Sequence, residues 1–185
     1  MKRCCPDCTA RTAWTGRGLA WTARRCEPWA VGKKTGPNPT DRGKPGSKHH
    51  VLTEAQGTPL SAILTGANRH DVTQLLPLVD AVPPVRGQRG RPRRRPKRLY
   101  ADRAYDSRQH RQELRARHIA PALARRGTAH GSGLGVYRWV VERTLGWLHQ
   151  FRRLRVRYER RADIHEAFLS LGCSIICFRR LSSFC

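Results

Sequence analysis

An excess of 24 positive charges limits what this chain can fold into: 37 Lys and Arg stand against 13 Asp and Glu. Cations in that number cannot be buried without partners, so most must lie on a solvated surface. A domain this basic usually holds a polyanion, and DNA or RNA is the default. A ribosome-like or membrane-surface protein is the plainer alternative. The 185 residues allow one domain with a real core. No apolar run reaches the roughly 18 to 20 residues of a membrane span. The start, MKRCCPDCTARTAW, is basic but has no apolar h-region. The expectation is no signal peptide and an intracellular protein.

Seven cysteines are present, an odd number, which argues against a disulfide framework in a cytosolic chain. Cys5 and Cys8 form one C-x-x-C, but no second pair follows at a zinc-ribbon distance, so chance composition explains it better than zinc. Cys173 and Cys177 are four apart in an apolar helix and read as small core residues.

Residues 1–34 show no clean hydrophobic period, and poor order is expected there. Residues 35–135 read as mixed α/β. HHVLTE and PLSAILTG look like strands of a hairpin turning at Ala55-Gln56-Gly57-Thr58. HDVTQLLPLVDAV looks helical, with Leu75, Leu78, Val79 and Val82 on one face and Pro77 distorting it. RGQRGRPRRRPKR, residues 86–98, is a basic Pro-rich loop that cannot bury itself. LYAD is a short strand ending at Asp102. DSRQHRQELRARH is a polar helix capped by Asp106 or Ser107, and IAPALA is another strand. Residues 136–181 are helical: Val141, Leu145 and Leu148 form one apolar stripe, and Ile164, Phe168, Leu171, Ile175 and Phe178 a second. Between them lies FRRLRVRYERR.

Two carboxylates carry the chemistry. Asp102 sits where a short apolar strand ends, a position held rigidly and facing a crevice. Taken alone, the residue is better read as a turn or cap aspartate. Glu142 lies beside the stripe of Leu145 and Leu148, where a glutamate should be paired or ligating. A salt bridge to Arg138 or Arg143 is the plain alternative. Taken together, a strand-end Asp and a helix Glu in a strongly basic domain suit hard divalent ions and strand transfer on DNA.

At these residues the text becomes familiar. LYADRAYDS resembles the second-aspartate motif of DDE transposases, and RWVVERTLGWLHQFRRL resembles their glutamate motif. An Arg precedes the Glu by four positions there, as Arg138 precedes Glu142. The likeness is nearest to the insertion-sequence-five-like group of bacterial transposases. It extends through GPNPTDRGKPGSKHHVL, LTGANRHDVTQLLPLVD, GTAHGSGLG and ERRADIHEAFLSL, roughly residues 35–181. His149 departs from it, standing where related groups have Lys or Arg.

The resemblance implies a ribonuclease-H-like α/β fold, a mixed sheet with flanking helices. It implies hydrolysis at transposon ends and attack of a 3′-hydroxyl on target DNA, with Mg²⁺ or Mn²⁺ as cofactor. Asp102 and Glu142 would be the catalytic metal ligands, and Tyr105 would support them from behind. Arg138, His149, Arg152, Arg153, Arg155 and Arg157 would contact DNA. A solvated basic helix face is the other account of that run. The implied partners are double-stranded DNA ends and target, with a homodimer open, in a bacterial, nucleoid-associated cytoplasmic setting.

The family's first catalytic Asp belongs to a D-S-S-x-V-R-A-like string a dozen or so residues before TGP. Here that stretch reads AWTARRCEPWAVGKKTGP, without an Asp. Asp7 and Asp41 lie too far away to serve. Trp21 is encoded TGG and Thr22 begins AC, so a shifted frame reads GAC, aspartate. Carried on, that frame can spell V-D-S-S-x-V-R-A-x-G. The expectation is therefore that residues 1 to about 30 are a frame-shifted reading, with 1–34 disordered or out of frame. Residues 35–185 would then be a partial catalytic domain whose first strand is missing or disordered. Whether such a chain is an enzyme stays open. A non-enzymatic DNA-binding remnant is the rival, and an RNA-binding protein a third reading, weakened by only 7% aromatic residues.

Overall fold

The computed structural model describes residues 19–29, 31–39, 41–85, 92–102, 105–124 and 135–182. The Cys5–Cys8 pair, the first part of the 86–98 loop and GTAHGSGLG up to residue 134 lie outside the described residues, as does the side chain of Arg138. No described helix is long and apolar enough to cross a membrane.

The sheet is built on β3 (Pro45–Glu54), whose residues 46–53 are all buried. It pairs antiparallel with β4 (Pro59–Gly66) through the expected hairpin, and Gly57 in the turn has φ +95. Only glycine adopts that conformation without strain. On its other edge β3 pairs antiparallel with β1 (Leu19–Pro28). Two-residue β2 (Gly36–Pro37) joins the start of β3. Beyond β1 the sheet turns parallel, to β5 (Arg98–Ala101) and then β6 (Ala120–Leu123). The short β7 (Val156–Arg157) runs parallel to the end of β1. The long path through the sheet is thus β4-β3-β1-β5-β6.

The presence of β1 corrects the expectation of a missing first strand. Its side chains give no apolar alternation, and Arg24 and Arg25 are exposed. A central strand is held by backbone pairing on both edges, and that context outweighs weak strand propensity.

Helices cover both faces. Val51 and Leu52 are successive residues of β3, so they point to opposite sides. Leu52 joins Leu75, Leu78, Leu99, Leu114 and Ile119 in one core, beneath α1 (Leu75–Asp80) and α2 (Arg108–Ala116). Val51 joins Leu145, Leu148, Leu154, Leu169 and Ile176 in the other, beneath α3 (Gly135–Leu148), α4 (Arg152–Arg155) and α5 (Ala162–Ser182). Ser107 caps α2, its hydroxyl accepting from the His110 N–H at 3.1 Å. Pro77 falls in the first turn of α1, which follows directly on a 3-10 turn at Asp71–Gln74.

The second apolar stripe is displaced from its expected line. Ile164, Leu171 and Phe178 are 40%, 55% and 70% exposed. The buried line of α5 instead runs through His165, Leu169, Gly172 and Ile176. A Cβ on Gly172 would come 2.9 Å from Leu154 Cδ1, so this line packs close.

Arg157 is fully buried, which corrects its expected place on the DNA-facing surface. Its guanidinium donates to the carbonyls of Lys33 (2.8 Å), Lys34 (3.2 Å), Glu159 (2.9 Å) and Arg160 (3.2 Å), and to the hydroxyls of Thr35 (3.1 Å) and Ser47 (2.8 Å). A side chain so engaged has no donors left for phosphate. Arg157→Met should leave several buried acceptors without donors and cost about 3 kcal/mol. Urea denaturation checks this, and a change within about 0.5 kcal/mol of the parent, the usual scale of a surface substitution, would count against the staple role.

Candidate carboxylate site and basic surface

Asp102 directly follows β5, and the Tyr105 N–H donates to its carbonyl at 3.0 Å, turning the chain away from the sheet. Tyr105 itself is buried in the core with Leu52 and Leu99. There it supports the turn that carries Asp102, through packing.

The neighbouring strand β1 runs alongside the end of β5. Leu19 pairs with Leu99 and Ala20 with Tyr100 in parallel register. Two more residues along each strand bring position 22 level with Asp102, with backbones roughly 4.8 Å apart. Position 22 is a threonine. A carboxylate there would stand beside Asp102.

Glu142 is exposed on α3, which packs across β1 and β3. Three contacts fix this helix. The Thr144 hydroxyl donates to the Gly57 carbonyl at 2.8 Å, and Arg143 donates to the Gln56 carbonyl at 2.8 Å, seating α3 on the hairpin turn. At the helix start, Tyr137 stacks on Tyr100 of β5 with ring centroids 4.2 Å apart. Arg143 lies over both Trp139 (4.4 Å) and Trp147 (4.7 Å). Its guanidinium is therefore occupied by the two rings and the turn. The strand that ends at Asp102 and the helix that carries Glu142 are joined directly, by the tyrosine stack.

The basic run divides in two. Arg152, Arg153 and Arg155 are exposed, on or at the end of α4. Arg152 donates to the Tyr158 hydroxyl at 3.2 Å, and Arg153 pairs with Glu159 at 2.6 Å. Arg157 points inward, as described above. His149 is not a surface cation either. Its ring meets His49 edge-on at 5.5 Å, and its Nε2 is buried without a hydrogen-bond partner. Burial, with Arg24 and Arg155 nearby, pushes it down to about 4, so it is neutral at pH 7.

Sequence reasoning missed a buried polar group on the α5 side of the sheet. Cys26, His49 and His165 bring their ligand atoms within 4.8 Å of one another. His165 shows no sequence signal beyond its type, because Cys26 and His49 lie more than a hundred residues away from it.

A family model described as "Transposase DDE domain" matches residues 20–177. A relative named "Putative transposase for insertion sequence element IS402", from Burkholderia cepacia, is 70% identical over 148 residues, covering 80% of this chain and 70% of its own length. The "Transposase for insertion sequence element IS1106" of Neisseria meningitidis serogroup B is 31% identical over 126 residues, 62% of this chain and 40% of its own. Among solved structures, a chain of the simian T-cell lymphotropic virus intasome in complex with PP2A regulatory subunit B56 gamma superposes with TM-score 0.46 and 14% identity. That match covers 76% of this chain and 41% of the other.

The tyrosine stack is open to direct measurement. A double-mutant cycle with Tyr100→Leu and Tyr137→Leu should return a coupling of about 1 kcal/mol. Additive effects would mean that β5 and α3 are not joined there.

Proposed function

The chain belongs to the transposase DDE domain family, and from that premise we propose that it is the catalytic part of an insertion-sequence transposase, short of one metal-binding carboxylate. Its work would be metal-dependent cleavage and joining of DNA strands on a ribonuclease-H-like sheet. The observation that carries this reading is the adjacency of β1 and β5, with position 22 level with Asp102. Three antiparallel strands followed by two parallel ones, with helices on both faces, support the fold assignment.

Asp102 and Glu142 offer carboxylate oxygens on two elements joined by the tyrosine stack. That donor set fits a hard ion such as Mg²⁺ or Mn²⁺. A bound ion of this kind helps an oxygen attack phosphorus and stabilises the oxygen that leaves. This chain's residues contribute the rest. Tyr105 packs beneath the Asp102 turn, and Thr144 and Arg143 hold α3. Arg152, Arg153 and Arg155 present exposed cations to a DNA backbone. We drop Arg157 and His149 from that set, since one is spent on carbonyls and the other is neutral.

Threonine at position 22 favours a second reading for the chain as it stands: a DNA-binding remnant that does not cut. The frame-shift account unites the two. Residues 1 to about 30 would be an out-of-frame reading of a segment whose proper frame also supplies β1 and its Asp. The gene's nucleotide sequence tests this, because a TGA across the Cys26–Glu27 junction in the shifted frame excludes the simple form.

With duplexes carrying the element's terminal repeats, the unaltered chain should show no Mg²⁺- or Mn²⁺-dependent nicking. Thr22→Asp should restore it, and adding Asp102→Ala should remove it again. Asp102-dependent nicking by the unaltered chain would overturn the claim of incompleteness. Failure of Thr22→Asp in a folded protein would count against the strand-level argument. Separately, replacing Arg152, Arg153 and Arg155 with Ala should flatten the log–log salt dependence of duplex binding by about 2.7. An unchanged slope would leave them as a solvated face.

A further inference from the structure

Cys26 comes from β1, His49 from β3 and His165 from α5. All three are buried, at 2%, 0% and 0% exposure. The Nε2 atoms of His49 and His165 are 2.9 Å apart, and Cys26 Sγ is 3.8 Å from His165 Nε2. A tetrahedral zinc ion with ordinary bond lengths needs about 3.3 Å between two nitrogens and about 3.6 Å between sulfur and nitrogen. The two separations made by His165 therefore meet the requirement to within about half an ångström, and Cys26 Sγ lies within 4.8 Å of the His49 ligand atom.

The surroundings fit a ligand set as well. Glu159 accepts from His165 Nδ1 at 3.0 Å, which leaves His165 Nε2 with its lone pair turned toward Cys26 and His49. A carboxylate behind an imidazole is the usual support for a ligating histidine. Glu159 is itself held by Arg153 at 2.6 Å. His149, edge-on to His49 with an unpartnered buried Nε2, is a further nitrogen in the same packed group.

We propose that Cys26, His49 and His165 form a buried site for a borderline-soft divalent ion of the zinc class, which clamps β1 to β3 and α5. One thiolate and two imidazoles select such an ion over Mg²⁺, which prefers oxygen. Binding converts the Cys26 thiol to a metal-bound thiolate and releases its proton to solvent. A water would complete the four-coordinate shell. The site is independent of the Asp102–Glu142 pair, and it concerns the polypeptide as its sequence stands, including Cys26 in the segment of disputed frame.

The test is titration with Zn²⁺ and with Co²⁺ under excess Mg²⁺, which saturates oxygen-rich sites. A Cys5→Ser/Cys8→Ser background removes the N-terminal thiol pair. One zinc per chain should bind and raise the thermal midpoint. Cobalt should give a sulfur-to-metal charge-transfer band with tetrahedral visible bands. Cys26→Ser should abolish the charge-transfer band while far-UV circular dichroism stays unchanged, and Cys173→Ser should retain it. Glu159→Gln should weaken binding roughly 10- to 100-fold. Absence of stoichiometric binding by the folded chain would overturn the proposal, as would a charge-transfer band that survives Cys26→Ser. If Cys26→Ser does not fold, the titration of the Cys5→Ser/Cys8→Ser chain still decides. Asp102→Ala should leave the cobalt spectrum unaltered, so failure of the transposase reading and failure of this one are separate results.

Discussion

The ladder between β1 and β3 is the constraint on which the rest depends. It runs without a break from the Leu19–Glu54 pair to the Cys26–Ser47 pair. Because side chains alternate, a slip of one residue would send every β1 side chain to the opposite face. Cys26 would leave His49, and position 22 would leave the level of Asp102. The same ladder sets the two cores, since Val51 and Leu52 feed opposite faces of β3. Arg157 reinforces it from β7, bonding Ser47 of β3 and the Lys33–Thr35 segment that follows β1.

Local signals made part of this legible. The hairpin could be read because Gly57 marks its turn and apolar residues fill both strands. Ser107 capping α2 and Asp102 closing LYAD are equally local, each decided by a few adjacent residues. The strand β1 was not legible because its cause is not local. Arg24 and Arg25 look like loop residues until two neighbouring strands claim the backbone between them. Backbone pairing tolerates many side chains along a central ladder, so a segment without strand-forming residues can still pair as β1.

The C-terminal helix fails for a different reason. Scoring by hydrophobicity selects Ile164, Leu171 and Phe178, which are exposed. The inward line contains His165 and Gly172, which no hydrophobic period would choose. Gly172 is there because Leu154 and Leu148 approach closely, and His165 because Glu159 and His49 satisfy its ring. Likewise charge alone could not separate Arg157 from Arg152, Arg153 and Arg155. The difference is strand geometry at β7 together with acceptors more than a hundred residues away. Long-range polar pairing is the class of interaction that a single sequence conceals.

These hidden contacts bear on the carboxylate site. Positions 22 and 26 are four apart on one strand, so they lie on the same face, roughly 13 Å apart. A clamp at Cys26 fixes the register of β1 against β3, and a rigid strand passes that register to the level of Asp102. The opposite end of α3 is set by the Tyr100–Tyr137 stack, so Glu142 is referred to the same sheet by a separate route. The placement of Asp102 and Glu142 is thereby held by contacts that contain neither side chain. The frame that carries them is maintained by the ladder, the arginine staple and the histidine cluster, whatever residue stands at position 22.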